Sequence, residues 1–278
     1  MAIFLGLATA LCFGAGDFFG GLSAKKTSVL YVVALSHVVG LLGVLVLVPF
    51  MAEAFTWRDF ALGAAGGAFG GFGVALLYNG LARGPMAVVA PLTAITSAAV
   101  PALWGLASGE SLSPLSSAGV AVALVAIALT SMPSESDGAP VSIGVVAQSL
   151  AAGAFFGTMF IFLDATASET APWPVVGGRV MTTSVLITFI LAKRRTGLAL
   201  VKPALGTIAL AGLFDTFSNV LFLLATNLGD LSIVAVLSSL YPASTVVLAR
   251  AVLDERMSRT QLGGLAAAIT ASALIALG

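Results

Sequence analysis

Long apolar stretches recur along the whole chain, and short polar breaks separate them. Each stretch has about 20 residues, enough for a helix rising about 1.5 Å per residue to cross roughly 30 Å of hydrocarbon. The apolar runs are continuous rather than alternating, so they predict helices and not the strands of a barrel. The ten predicted spans are Ile3–Leu22, Val29–Phe50, Phe60–Leu81, Met86–Ala107, Leu115–Met132, Ser142–Leu163, Trp173–Ala192, Ala204–Thr226, Leu231–Ala249 and Gln261–Leu277.

The second half of the sequence repeats the first at an offset of 145 residues. The identities are Gly84/Gly229, Ala90/Ala235, Leu92/Leu237, Leu103/Leu248, Glu110/Glu255, Ser113/Ser258 and Gly119/Gly264. Each half contains five predicted spans, and an odd number makes the second copy enter the membrane from the opposite side. The sequence therefore predicts an all-α integral membrane protein of ten transmembrane helices. Two inverted five-helix repeats, at 1–133 and 142–278, flank a polar linker at 134–141.

Composition and charge agree with a membrane location. Hydrophobic residues make up 59% and charged residues 9% of the sequence, whereas about a quarter of a soluble domain is charged. No loop is long enough for a catalytic domain. Loops after odd-numbered spans carry Lys25, Lys26, Arg83, Lys193, Arg194, Arg195, Lys202, Arg250, Arg256 and Arg259, and only Arg58 follows an even-numbered span. The positive-inside rule then predicts that both termini lie outside, with the protein in a bacterial cytoplasmic membrane.

One motif and its weaker copy resemble a known family. The motif is Leu237-Ser238-Ser239-Leu240-Tyr241-Pro242, followed by Leu248-Ala249-Arg250 and Asp254-Glu255-Arg256-Met257-Ser258. Its copy is Pro91-Leu92-Thr93-Ala94 with Gly109-Glu110-Ser111-Leu112-Ser113. Together they resemble an EamA-type member of the drug/metabolite transporter superfamily. The resemblance implies a ten-helix carrier of small metabolites, often an exporter of amino acids or other amphipathic compounds, that works by alternating access. It also implies cytoplasmic termini, the opposite of the orientation that the charges predict.

Polar side chains inside the predicted spans are the candidates for a substrate site. An ionised side chain near the bilayer centre costs at least about 2.5–3.5 kcal/mol, so such residues face a cavity or each other. Asp215 and Asn219 are four residues apart and share one helix face, while the matching positions of the first repeat hold Gly70 and Val74. Their alternative role is interhelical hydrogen bonding. Asp17 is either a proton carrier or counter-charge for a substrate ammonium, or a residue that reaches interfacial water.

Two further polar residues complete the candidate site. Arg179 resembles an arginine often found in this helix of the family, and it either binds a carboxylate or pairs with Asp164 or Asp215. His37 is the only histidine in the sequence. It is a candidate for proton coupling together with Asp17 and Asp215, and its alternative role is a fixed hydrogen bond.

Aromatic, proline, glycine and glutamate positions carry secondary predictions. Tyr78 and Tyr241 are predicted to bind substrate close to the charged residues, and Pro91, Pro101 and Pro242 are expected to bend spans four and nine as hinges. Gly63, Gly67 and Gly71 are spaced four apart and predict a groove that seats a neighbouring helix. The glycines lack the Lys-Ser/Thr ending of a phosphate loop, so nucleotide binding is rejected. Glu110 and Glu255 are predicted to cap helix starts.

These observations predict a secondary transporter and not an enzyme. The predicted substrate is a small amphipathic, amino acid-like metabolite that is exported by alternating access. The alternative is a membrane-embedded enzyme acting on a lipid or isoprenoid, but one histidine and one cysteine offer no metal cluster or nucleophile constellation. No cofactor, metal or nucleic acid is expected. The expected partners are the solute, membrane lipid and protons, and a monomer suffices because one chain supplies both halves of the site.

Overall fold

The computed structural model describes residues 1–83, 86–130, 142–192, 198–253 and 258–277, and all regular structure in these ranges is helical. The predicted linker at 134–141 lies outside the described residues. The helices are α1 (Ala2–Ala24), α2 (Val29–Met51), α3 (Trp57–Arg83), α4 (Met86–Ala107), α5 (Pro114–Thr130), α6 (Ile143–Asp164), α7 (Trp173–Ala192), α8 (Leu205–Thr226), α9 (Leu231–Ser238), α10 (Tyr241–Leu253) and α11 (Arg259–Leu277).

Six segments are long and apolar enough to cross a membrane. They are Ala2–Ala24, Val29–Met51, Trp57–Arg83, Ile143–Asp164, Trp173–Ala192 and Val201–Thr226, and they correspond to predicted spans one, two, three, six, seven and eight. Shorter apolar helical segments occupy Leu92–Ala107, Pro114–Leu129 and Leu231–Thr245. The protein is therefore an all-helical integral membrane protein, as the sequence predicts.

The ninth predicted span is divided into α9 and α10. α9 ends at Ser238 and α10 begins at Tyr241. Pro242 has no N–H, so the carbonyl of Ser238 loses the donor that a continuous helix would supply four residues later. Proline is well tolerated in the first turn of α10, where a backbone N–H has no intrahelical acceptor anyway. By contrast, α4 continues through Pro101. The side chain of Pro91 lies outside the part of the chain that the structure describes.

The helices of the two halves pack against each other rather than forming two separate bundles. α1 packs most extensively on α8, and α3 packs on α6. α3 also contacts α7, and α2 also contacts α8. Three further contacts join helices of the two halves: α2 with α7, α4 with α9 and α5 with α11. The main contacts of the bundle therefore join the first half of the chain to the second.

A seam of glycines allows α3 and α7 to approach closely. Gly63, Gly67 and Gly71 lie against Pro174, Gly178 and Thr182, which are also spaced four apart. A Cβ added at Gly67 would collide with the backbone of Gly178. The predicted groove that seats a neighbouring helix is confirmed.

Two carboxylates of the first half, Glu110 and Asp59, accept hydrogen bonds from loops and helix starts of the second half. Glu110 accepts hydrogen bonds from the backbone N–H groups of Leu231 at 2.9 Å and Ser232 at 3.1 Å, and it therefore caps α9. The capping role predicted for Glu110 is confirmed, although the capped helix belongs to the other half. Asp59 accepts from the N–H of Ala167 at 3.1 Å and the hydroxyl of Thr170 at 2.9 Å. Glu255 lies outside the described residues.

Candidate functional site

A partly open cavity lies between α2 and α3 of the first half and α6, α7 and α8 of the second. Glycines of α3 form part of its wall, because residues without side chains leave space between packed helices. The polar residues in the wall are His37, Arg179, Thr182, Asp215 and Asn219, and the apolar residues include Val74, Phe156, Met159, Leu163 and Val175. The cavity thus combines a charged corner with an apolar wall.

An ion pair between Arg179 and Asp215 forms the charged corner. Arg179 Nη2 lies 2.7 Å from Asp215 Oδ2, and the two side chains are only 8% and 13% exposed. Of the two partners that the sequence offers for Arg179, the structure selects Asp215. Asp164 instead lies at the C-terminal end of α6. The guanidinium and the carboxylate neutralise each other, so the corner carries two charges but no net charge.

His37 joins this pair from α2. Its Nδ1 lies 2.7 Å from Thr182 Oγ1, and its Nε2 lies 3.9 Å from Asp215 Oδ2. The imidazole is almost completely buried. Thr182 is a site residue that the sequence analysis missed. Its signal was available, because Thr182 follows His37 by the repeat offset of 145 residues.

Asn219 supports the pair from one turn further along α8. Its amide Nδ2 donates to the backbone oxygen of Asp215 at 2.7 Å, so the predicted shared face of Asp215 and Asn219 is confirmed. The other amide atom, Asn219 Oδ1, is buried without a hydrogen-bond partner among the described residues, and so is His37 Nε2.

Asp17, Tyr78 and Tyr241 are not among the described residues that line the cavity. α1 passes close to α8 at this level, because a Cβ added at Gly16 would lie 3.2 Å from the backbone nitrogen of Asp215. Tyr78 packs against Gly20 of α1, and the hydroxyl of Tyr241 donates to the backbone oxygen of Ala90 at 3.2 Å. Asp17 interacts electrostatically with Asp215 and with both tyrosines.

An aromatic cluster packs the space between α1, α6, α8 and α10. The ring centroids of Phe13 and Phe160 are 5.8 Å apart, those of Phe160 and Phe222 are 4.1 Å apart, and those of Phe13 and Tyr241 are 6.4 Å apart. Tyr241 is therefore held by ring packing and by its hydroxyl contact with α4. Within the described ranges, no group of three or more His, Cys, Asp or Glu side chains is arranged to hold a metal ion.

Comparison with known proteins relates this architecture to a family. Residues 143–277 match the model of the EamA-like transporter family. The fold also matches a solved structure, described as "Crystal structure of protein", with a TM-score of 0.69 over 97% of this chain and 96% of that one at 18% identity. A search of curated proteins finds no match. The resemblance predicted from the sequence is confirmed over residues 143–277, the part of the chain that is similar to this family of membrane transporters.

Proposed function

We propose that this transporter is a secondary carrier that exports a small amphipathic, amino acid-like metabolite by alternating access. The observation that carries the proposal is the Arg179–Asp215 pair, which lies in the wall of a cavity built from both halves of the chain. Buried charges inside a membrane are costly and are typical of substrate or ion pathways. A pair that served only to hold helices together would need no adjoining cavity.

A zwitterionic solute fits the two charges. Its carboxylate would bind the planar guanidinium of Arg179, and its ammonium would bind the carboxylate of Asp215. Arg179 and Asp215 would then each exchange the other for a substrate group, so neither buried charge would be unpaired. The apolar wall formed by Val74, Phe156 and Met159 would accommodate a hydrophobic side chain. These features favour an α-amino acid over a purely anionic or purely cationic compound.

The packing of the helices supports two inverted five-helix repeats, at 1–133 and 142–278. Exchanging each helix for its counterpart at the repeat offset converts the α1–α8 contact into α6–α3 and the α3–α7 contact into α8–α2, and all four contacts are present. Such a two-fold relation lets the halves rock around a central site.

The same site is complete within one chain, so a monomer suffices. Loop charge supports external termini in a bacterial cytoplasmic membrane.

Counterflow in reconstituted vesicles tests the carrier proposal. Proteoliposomes preloaded with unlabelled L-leucine are expected to accumulate labelled L-leucine transiently, because a carrier exchanges solute across the membrane and a channel does not. The α-hydroxy acid analogue of leucine has no ammonium and should neither exchange nor compete. Arg179→Lys keeps the charge but loses the planar fork, so it should weaken exchange. Absence of saturable exchange with any member of an amino acid panel would rule out the proposed function.

A further inference from the structure

Two residues that line the cavity each have one buried polar atom without a hydrogen-bond partner among the described residues, and both atoms can accept hydrogen bonds. They are His37 Nε2 and Asn219 Oδ1. A buried polar group without a partner costs about 1–3 kcal/mol, so native proteins keep such groups where something else satisfies them. His37 and Asn219 both line the cavity, as does Asp215, whose ionised carboxylate can only accept. Both of these atoms can therefore be satisfied by a hydrogen-bond donor.

Thr182 determines which nitrogen of His37 faces the cavity without a proton. Thr182 Oγ1 lies 2.9 Å from the backbone oxygen of Gly178, to which its single hydroxyl proton is donated. The lone pair of Oγ1 is then free to accept from His37 Nδ1 at 2.7 Å. Because neutral imidazole carries one proton, this arrangement favours the tautomer with the proton on Nδ1 and a bare Nε2.

The bare Nε2 and the nearest carboxylate oxygen of Asp215 are 3.9 Å apart, so one donor nitrogen placed beside them reaches both. A proton bound to Nε2 occupies the same space between His37 and Asp215. Protonation makes the imidazole a cation whose Nε2–H points at Asp215. The two occupants exclude each other. The other groups around this position are Arg179 on α7, which already pairs with Asp215, and Asp17 on α1 and Tyr78 on α3, which interact with Asp215 electrostatically.

We propose that the gap between His37 Nε2 and Asp215 is a site where a proton and the ammonium group of the solute compete, with Thr182 as the residue that positions the imidazole. The proposal rests on the transport function and adds its coupling: a carrier that binds either solute or proton at one position exchanges one for the other. An inward proton gradient then drives the solute outward. The apparent affinity for the solute falls as pH falls, because protonated His37 holds Asp215.

The single histidine makes the first test direct. Nitrogen NMR of histidine-labelled protein in nanodiscs reports one imidazole, because the sequence contains no other. At high pH the neutral ring should carry its proton on Nδ1. Thr182→Ser keeps the acceptor and should keep this tautomer, whereas Thr182→Val should move the proton to Nε2. A neutral wild-type ring protonated on Nε2 would overturn the proposal without any reference to transport.

Titration with ligand provides the second test. Saturating L-leucine should lower the proton affinity of His37 by about tenfold, within the usual range for coupled sites, and its α-hydroxy acid analogue should leave that affinity unchanged. A His37 titration midpoint that L-leucine does not move would overturn the competition. Failure of the transport proposal is distinguishable, because it shows as absent counterflow, whereas failure of the coupling shows as exchange that is independent of pH and unaffected by His37→Gln.

Discussion

Arg179 and Asp215 are charged side chains inside membrane-spanning helices. Each is tolerated there because the other supplies its counter-charge. Their contact distance of 2.7 Å and low exposure leave little water to screen either one. Removing one partner therefore leaves the other both buried and unpaired, which is the costly change for such a pair. Removing both partners has a smaller effect on stability, because two apolar side chains fill the same space.

A double-variant comparison tests this pair at the residue scale. Asp215→Asn leaves the guanidinium of Arg179 unpaired and should lower the free energy of unfolding by about 3–5 kcal/mol. Combining Arg179→Met with Asp215→Leu should recover most of that loss, and both variants should fail in counterflow. Thermal unfolding in detergent and counterflow in vesicles measure the two effects. Full transport by the apolar double variant would show that the pair has no part in substrate binding.

Much of the candidate site could be predicted residue by residue, because charges inside apolar spans are rare. Arg179, Asp215, Asn219 and His37 stand out in the sequence for this reason, and all four line the cavity. Thr182 does not stand out, since threonine in a membrane helix commonly bonds to its own backbone. Which acid pairs with Arg179 depends on the rotation and spacing of α6, α7 and α8, and these are set by packing between helices.

The close packing of α3 on α7 depends on small residues at their contact, and Gly67 tests this. Gly67→Ala should lower the free energy of unfolding by about 1–3 kcal/mol, because its added methyl group meets the backbone of Gly178 and forces α3 and α7 apart. Gly263→Ala in α11 is the matched control, since no atom lies within 4 Å of the Cβ it would add. Chemical unfolding of the two variants side by side measures the difference. Equal stabilities would mean that the α3–α7 seam adapts without cost.

The break between α9 and α10 leads to a prediction about turnover. Pro242→Ala restores a backbone donor opposite Ser238, so α9 and α10 should join and favour one access state. Turnover should fall by roughly tenfold, equivalent to about 1.4 kcal/mol in the balance of states, while the protein stays folded. Pro101→Ala should change turnover less, because α4 is already continuous through that residue. Unchanged counterflow in a stable Pro242→Ala variant would remove its role as a hinge.

The elements that follow from hydropathy alone are the long ones. Apolar length predicts where α1, α2, α3, α6, α7 and α8 lie, because a membrane helix has to satisfy its backbone internally over a fixed thickness. It does not predict that the ninth span is two helices, since apolar residues continue on both sides of the break. It also leaves the direction of each side chain open, so it could not show that Tyr78 and Tyr241 are absent from the described cavity lining.

Orientation is a property of the whole molecule, and loop charge predicts it. Ser168, between α6 and α7, and Lys202, before α8, are both exposed and lie at opposite ends of the predicted topology. In a background without Cys12, an impermeant thiol reagent should label Ser168→Cys in intact cells and Lys202→Cys only in inverted vesicles. Labelling of Lys202→Cys in intact cells would show that the loop is external and that the positive-inside argument fails here.

The contact between α1 and α8 has a consequence for how the protein is made. α1 ends at Ala24 and α8 begins at Leu205. A ribosome adding about 5–20 residues per second takes roughly 10–40 seconds to reach α8 after it has started α1. During that interval the first helix resides in the bilayer without its principal partner, and Asp17 has no α8 beside it. The insertion machinery or the neighbouring early helices must shelter this carboxyl group until the second half of the chain arrives.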